Sequence, residues 1–149
     1  MMGKFEKDTG AGRFFKDFKK YHGLPVQDAI FFNQSDLICD MAKHEDFIVM
    51  GRCADVVLTN HHIPQIRIFI TASFDQRVRR MMEINSLNYK QAEHLLKKLD
   101  KRHERYYHAY TGKKWGDAVN YDLCIDSASY GIEESVELIE RMINKYPNS

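Results

Sequence analysis

Three short apolar runs punctuate the chain: Phe47-Ile48-Val49-Met50, Ile66-Arg67-Ile68-Phe69-Ile70 and Leu123-Cys124-Ile125. Their β-branched and aromatic content predicts strands. Polar residues follow at once: Gly51-Arg52-Cys53-Ala54-Asp55 after the first, an Arg-rich segment from Ser73 after the second, Asp126-Ser127 after the third. Open α/β sheets place their ligands beyond the C-terminal ends of strands. Between these runs the spacing turns helical. Val26, Ile30, Leu37 and Met41 recur toward His44, and Pro25 is suited to open that helix. Ser73-Phe74-Asp75-Gln76 has the form of a capping box, opening a helix that carries Arg77, Arg79 and Arg80. A further helix starts near Asn88, with Ala92, Leu95, Leu96 and Leu99 as its buried stripe and Arg102 and Arg105 on a basic opposite face. Ile132, Val136, Ile139 and Ile143 mark a closing amphipathic helix. Asn60 to Pro64 reads as a turn, Phe14, Phe15 and Phe18 as one apolar face ending before Gly23, and residues 1–13 as a mobile lead-in.

A length of 149 residues predicts a single domain, residues 1–149. Lys and Arg total 22 against 21 Asp and Glu, so global charge argues against nucleic acid or an anionic membrane as partner and leaves only local anion binding. Cys39, Cys53 and Cys124 are odd in number and lie far apart, which suits reduced thiols in a cytosol. There is no apolar stretch near roughly 18 residues and no signal-peptide pattern, so the chain reads as soluble and cytoplasmic. His61-His62 lacks the spacing of a metal site, and no metal ligands are expected.

Arginine at the end of a strand suits phosphate chemistry, because its planar fork binds phosphate oxygens in pairs and keeps its charge. Arg52 is such a residue, beside Asp55, which reads equally as a helix cap. Arg77 and Arg80 share one helical face, as an anion clamp or a solvated basic surface would. Gly10-Ala11-Gly12 is not a phosphate loop, since no strand precedes it and no Gly-Lys-Ser/Thr closes it. Lys97 to Lys114, with Tyr106, Tyr107 and Tyr110, also describes a surface for single-stranded nucleic acid, the weaker reading at this net charge. Trp115-Gly116 fits a core Trp at a turn better than a base-stacking residue.

From about Val26 to Ile143 the sequence resembles the cytidylate kinase-like family of nucleoside monophosphate kinases, most closely at Met50-Gly51-Arg52-Cys53-Ala54-Asp55 and Tyr110-Thr111-Gly112-Lys113-Lys114-Trp115-Gly116-Asp117. The resemblance implies an α/β fold of the P-loop kinase type, three layers α/β/α around a parallel sheet, with an Arg-bearing helical lid over about residues 77–115. The family's opening strand and phosphate loop do not precede Val26, so the fold is expected to be N-terminally truncated. By the same resemblance Arg52 holds the acceptor monophosphate with Asp55 and Asp100 as further substrate contacts. Arg77, Arg80, Arg102 and Arg105 clamp the transferring group, and Asp126 and Ser127 meet the donor base unless they cap a helix. ATP and Mg²⁺ are the implied cofactors and a nucleoside monophosphate, of (d)CMP type, the acceptor; a homo-oligomer is compatible. The alternative is a kinase-derived nucleotide-binding or regulatory module without turnover. Two departures stand out: Cys53 and Asp55-Val56 occupy places where true cytidylate kinases carry Asp and then Gly-Thr, and His103 stands where an Arg usually follows the lid Asp by three residues.

Overall fold

Capping residues and left-handed turns set most element boundaries. The computed structural model describes residue 21 and residues 23–146; the expected lead-in and the Phe14/Phe15/Phe18 face lie outside the described residues. In chain order the elements are α1 (Val26–Met41), α2 (Ala54–Asn60), β1 (Ile68–Thr71), α3 (Phe74–Asn85), α4 (Tyr89–Thr111), a 3₁₀ turn (Ala118–Asn120), β2 (Leu123–Asp126), α5 (Ser127–Tyr130) and α6 (Ile132–Lys145). This is a mixed α/β chain with a small parallel sheet. It divides into two compact units, Met1–Gln65 and Ile66–Ser149.

In the first unit Pro25 sits at the N-cap of α1, as its fixed φ and missing N–H favour. Ile38 of α1 meets Ala54 and Leu58 of α2, and Ala42, Phe47, Val49 and Ile63 close around them. The stripe read from the sequence is not the buried one: Val26, Ile30 and Leu37 are exposed, while Ala29, Phe31, Ile38 and Cys39 are buried. The helix is apolar around most of its circumference, so spacing alone singled out no face. Asn33 and Ser35, about 200° apart around the helix, are buried as well and return hydrogen bonds to the carbonyls of Ala29 (2.7 Å) and Phe31 (2.8 Å).

The expected strand at Phe47–Met50 does not form. Among the described residues the sheet contains only β1 and β2, and without a neighbour about 4.8 Å away there is no ladder to join. The strand-like alternation survives nonetheless. Phe47 and Val49 pack inward, whereas Ile48 and Met50 are 92% and 88% exposed.

The second unit is built on the parallel pair, in register Ile68 with Leu123 through Thr71 with Asp126. Parallel strands need a long crossover, which α3 and α4 supply as a helical hairpin. Both helices open with a complete capping box, Ser73 with Gln76 and Asn88 with Gln91. Val78, Ala92 and Leu96 form the hairpin's sealed core, flanked by Met81, Met82 and Leu87. Leu95 and Leu99 of the predicted stripe are only half-buried, at its margin.

One polar clamp ties the strand starts together. Asp122 accepts from the Arg67 backbone N–H (2.8 Å), from Nε (3.1 Å) and from Nη2 (2.7 Å), while the Arg67 carbonyl accepts from the N–H groups of Asp122 (2.8 Å) and Leu123 (3.2 Å). Above the clamp Phe69 packs against Tyr121 and, edge-on, Trp115, with ring centroids 4.9 and 5.7 Å apart. Gly116 must stay small there, because a Cβ would stand 3.0 Å from Phe69 Cζ and its φ is +74°. In α6 the expected stripe is again offset: Ser135 is buried, and Ile132, Val136 and Ile143 are exposed.

The Arg67 guanidinium holds the Asp122 carboxyl below the usual carboxylate range, against the opposing effect of burial. A lowered folded pKa stabilises the fold fully above the unfolded value and is lost as pH falls through the folded one. Asp122→Asn should therefore cost about 1.5–3 kcal/mol at neutral pH. In urea unfolding the gap between wild type and variant should begin to narrow as pH falls below about 4, where the unfolded carboxylate takes up its proton, and should close only below the lowered folded value, where the native carboxylate is protonated too.

Candidate functional site

The register of the sheet decides what stands together at its C-terminal edge. Thr71 pairs with Asp126, so the chain leaves both strands at one level. Ala72 and Ser73 lead straight into α3, and Asp126 is itself the N-cap of α5, accepting from the N–H groups of Ala128 (3.2 Å) and Ser129 (3.0 Å). A cavity of about 370 Å³ lies here. Gln76, Arg77, Arg80 and Ser127 supply its polar lining, and Ile70, Ile132, Val136 and Ile139 its apolar lining. An apolar floor with a few converging polar groups is the usual make-up of a small-ligand site.

Arg77 donates end-on to Asp100, from Nη1 to Oδ2 at 2.9 Å and from Nη2 to Oδ1 at 2.5 Å. Arg80 has no ion pair among the described residues, while Arg79 turns to Asp75 at 2.9 Å. Arg102 and Arg105 are exposed on α4 and do not line the cavity. At roughly 100° per residue, Arg102 lies about 200° around the helix from Asp100, which faces α3. His103, nearer the Asp100 face, packs its ring against Trp115 with centroids 5.4 Å apart. Tyr107 is buried, and Tyr106 and Tyr110 face each other at 4.8 Å. Ser127 stands at the cavity, whereas both carboxylate oxygens of Asp126 serve α5, Oδ2 accepting from Ser129 Oγ at 3.0 Å. Sequence reasoning linked neither Asp100 to Arg77 nor Ser135 to the cavity. The available signal was positional: Arg77 adjoins buried Val78, and Asp100 lies one turn beyond buried Leu96.

Arg52 belongs to the first unit, in an unusual loop. Gly51, Arg52 and Cys53 have φ of +69°, +60° and +54°, three successive left-handed residues directly before α2. Two of them carry side chains, a conformation that costs roughly 1–2 kcal/mol each. Such strain clusters at ligand sites. The buried Cys53 side chain and its carbonyl, which accepts from Val56 (3.1 Å) and Val57 (2.9 Å), pin the loop down. The Arg52 side chain is exposed with no partner among the described residues. Asp55 lies in the first turn of α2, its carbonyl taken by Thr59 Oγ1 and Gln65 Nε2 at 2.6 and 2.7 Å. Burial, with the Asp55 carboxylate adding to it, pushes the Cys53 thiol up to about 11.

Comparison with known proteins bears directly on these features. Residues 1–129 match the model of the cytidylate kinase-like family. The chain belongs to that family. A cytidylate kinase from Staphylothermus marinus is 22% identical over 143 residues, covering 91% of this chain and 81% of the relative. A crystal structure of an uncharacterized protein from Eubacterium ventriosum superposes with a TM-score of 0.74 at 29% identity, covering 93% of this chain and 78% of that one. Membership in the cytidylate kinase-like family brings a nucleoside monophosphate kinase-like function and nucleotide substrates as the class. Among the described residues no helix is long and apolar enough to cross a membrane.

The strained loop yields a stability prediction. Glycine removes the left-handed penalty at position 52 at the cost of a floppier unfolded chain, so Arg52→Gly should be neutral to about 1 kcal/mol stabilising in urea unfolding, and Arg52→Ala should not be stabilising. Iodoacetamide at neutral pH should modify exposed Cys124 well before Cys53, whose thiol stays protonated and buried, as peptide mapping would read directly.

Proposed function

We propose that this chain handles nucleotides as a nucleoside monophosphate kinase does, with the parent reaction of ATP and a (d)CMP-type monophosphate giving ADP and the diphosphate. The observation that carries the reading is the cavity at the C-terminal edge of the parallel pair, where Arg77, Arg80, Gln76 and Ser127 surround an apolar floor. That combination suits a donor nucleotide, its base on the floor and its phosphates toward the guanidinium groups. Arg52, exposed on a strained loop after an apolar run, is the acceptor-phosphate ligand in this reading. The α3–α4 hairpin is the lid, moving as a body because Val78, Ala92 and Leu96 seal it internally. Arg102 and Arg105 then act from its outer face, on phosphate that reaches that side.

Phosphoryl transfer needs positioning and charge neutralisation more than covalent chemistry. Among the described residues no group of three or more His, Cys, Asp or Glu side chains could hold a metal ion. Mg²⁺ enters the reading as the counter-ion of the ATP phosphates. The P-loop architecture in three layers and a cytoplasmic setting belong to the same proposal.

Calorimetry with CMP, dCMP, UMP and AMP, and a coupled ADP assay with ATP and Mg²⁺, test it. Monophosphate binding should weaken by roughly 1.5–3 kcal/mol in Arg52→Ala, the scale of a charged hydrogen bond. Measurable binding that ignores Arg52 would remove that residue from the site. Turnover with a pyrimidine monophosphate establishes the kinase; tight binding of both nucleotides without turnover establishes the binding module instead.

A further inference from the structure

We infer that Asp100 is a positioning residue, which aims the Arg77 guanidinium at the donor phosphates and does not itself touch substrate; this rests on the donor-site reading above. The pairing is geometric before it is electrostatic. Val78 and Leu96 meet in the sealed core of the hairpin, and the next residue back on α3 and the next turn forward on α4 are Arg77 and Asp100. Packing of the helices thus brings acid and base to one level, where a bidentate contact fixes the plane of the guanidinium.

The contact is end-on, through Nη1 and Nη2, and leaves Nε–H and the outer hydrogens of both Nη atoms as donors. Arg77 lines the cavity. Both side chains are part-buried, 32% and 21% exposed, so the pair is ordered more firmly than a surface ion pair. As a unit it carries no net charge. Arg77 therefore contributes directed donors, and the attraction for an anion falls to Arg80, which lines the same cavity with no ion pair among the described residues.

This division of labour makes a prediction whose sign separates it from plain electrostatics. Deleting a carboxylate beside an anion site raises the local positive charge and should tighten anion binding. Loss of positioning should weaken it, because a released Arg77 must be ordered anew for each phosphate. Binding of ATP, inorganic tripolyphosphate and adenosine to the 149-residue chain should be measured for wild type, Asp100→Ala, Asp100→Glu, Arg77→Ala and the double variant, with far-UV circular dichroism reporting the fold.

We expect Asp100→Ala to weaken ATP and tripolyphosphate by roughly tenfold and adenosine not at all, the scale of a charged hydrogen bond. Asp100→Glu should recover part of the loss, and Asp100→Ala should add nothing on top of Arg77→Ala. Arg80→Ala should instead flatten the salt dependence of ATP binding. Tighter ATP or tripolyphosphate binding in Asp100→Ala, or an equal loss for adenosine, would overturn the assignment while leaving the donor site standing. If wild type binds tripolyphosphate but not ATP, the donor reading fails and the tripolyphosphate series still decides the role of Asp100. Binding of neither overturns both.

Discussion

The rest of the second unit depends on the clamp between Arg67 and Asp122. A parallel pair only four residues long has little ladder of its own, and a slip by one residue would turn every side chain to the opposite face. The clamp removes that freedom at the strand starts, by binding the Asp122 carboxylate to both backbone and side chain of Arg67 while the Arg67 carbonyl receives the two N–H groups of the partner strand. Once the starts are fixed, the ends are fixed too. Thr71 and Asp126 stand side by side, and the helices that follow each begin at the same edge.

The cavity is a consequence of that shared edge. Its cationic lining comes from the first turns of α3 and its apolar lining from β1 and α6, elements separated by the whole α3–α4 hairpin in the chain. The hairpin is stiffened at both openings by capping boxes and in the middle by Val78, Ala92 and Leu96. Its charged residues consequently divide by helical phase. Arg77 and Asp100 face each other, Arg79 turns back along α3 to Asp75, and Arg102 and Arg105 stay outside. The basic positions of these two helices thus fall into three different environments in the structure.

The first unit contrasts with this. Among its described residues no backbone joins a ladder, and its apolar segment Phe47–Met50 anchors through alternate side chains. Directly after it come three left-handed residues, a strained geometry held by burial of Cys53 and by the start of α2. Arg52 is presented by that loop without a competing partner among the described residues, which is what distinguishes it from Arg77.

Local chemistry was legible in the sequence wherever one residue's own preferences decide. Pro25, the Ser73-Gln76 cap, the helix beginning at Asn88, the two paired strands and the Ala92/Leu96 seam all read directly from residue type and spacing. So did the family, because Gly51-Arg52-Cys53-Ala54-Asp55 and Gly112-Lys113-Lys114-Trp115-Gly116 are distinctive strings. Facing and pairing were not legible. Which side of α1 or α6 is buried depends on neighbours far along the chain: α1 carries apolar residues on more than one side, and the single apolar face of α6 makes its contact at the flank marked by buried Ser135, so periodicity did not give the buried stripe of either. Whether Phe47–Met50 becomes a strand depends on a partner that local preference does not supply. Whether an arginine is held or unpaired depends on what the opposite helix brings level with it. The pairings of Arg77 with Asp100 and of Arg67 with Asp122 span 23 and 55 residues, and only tertiary packing sets distances between residues so far apart.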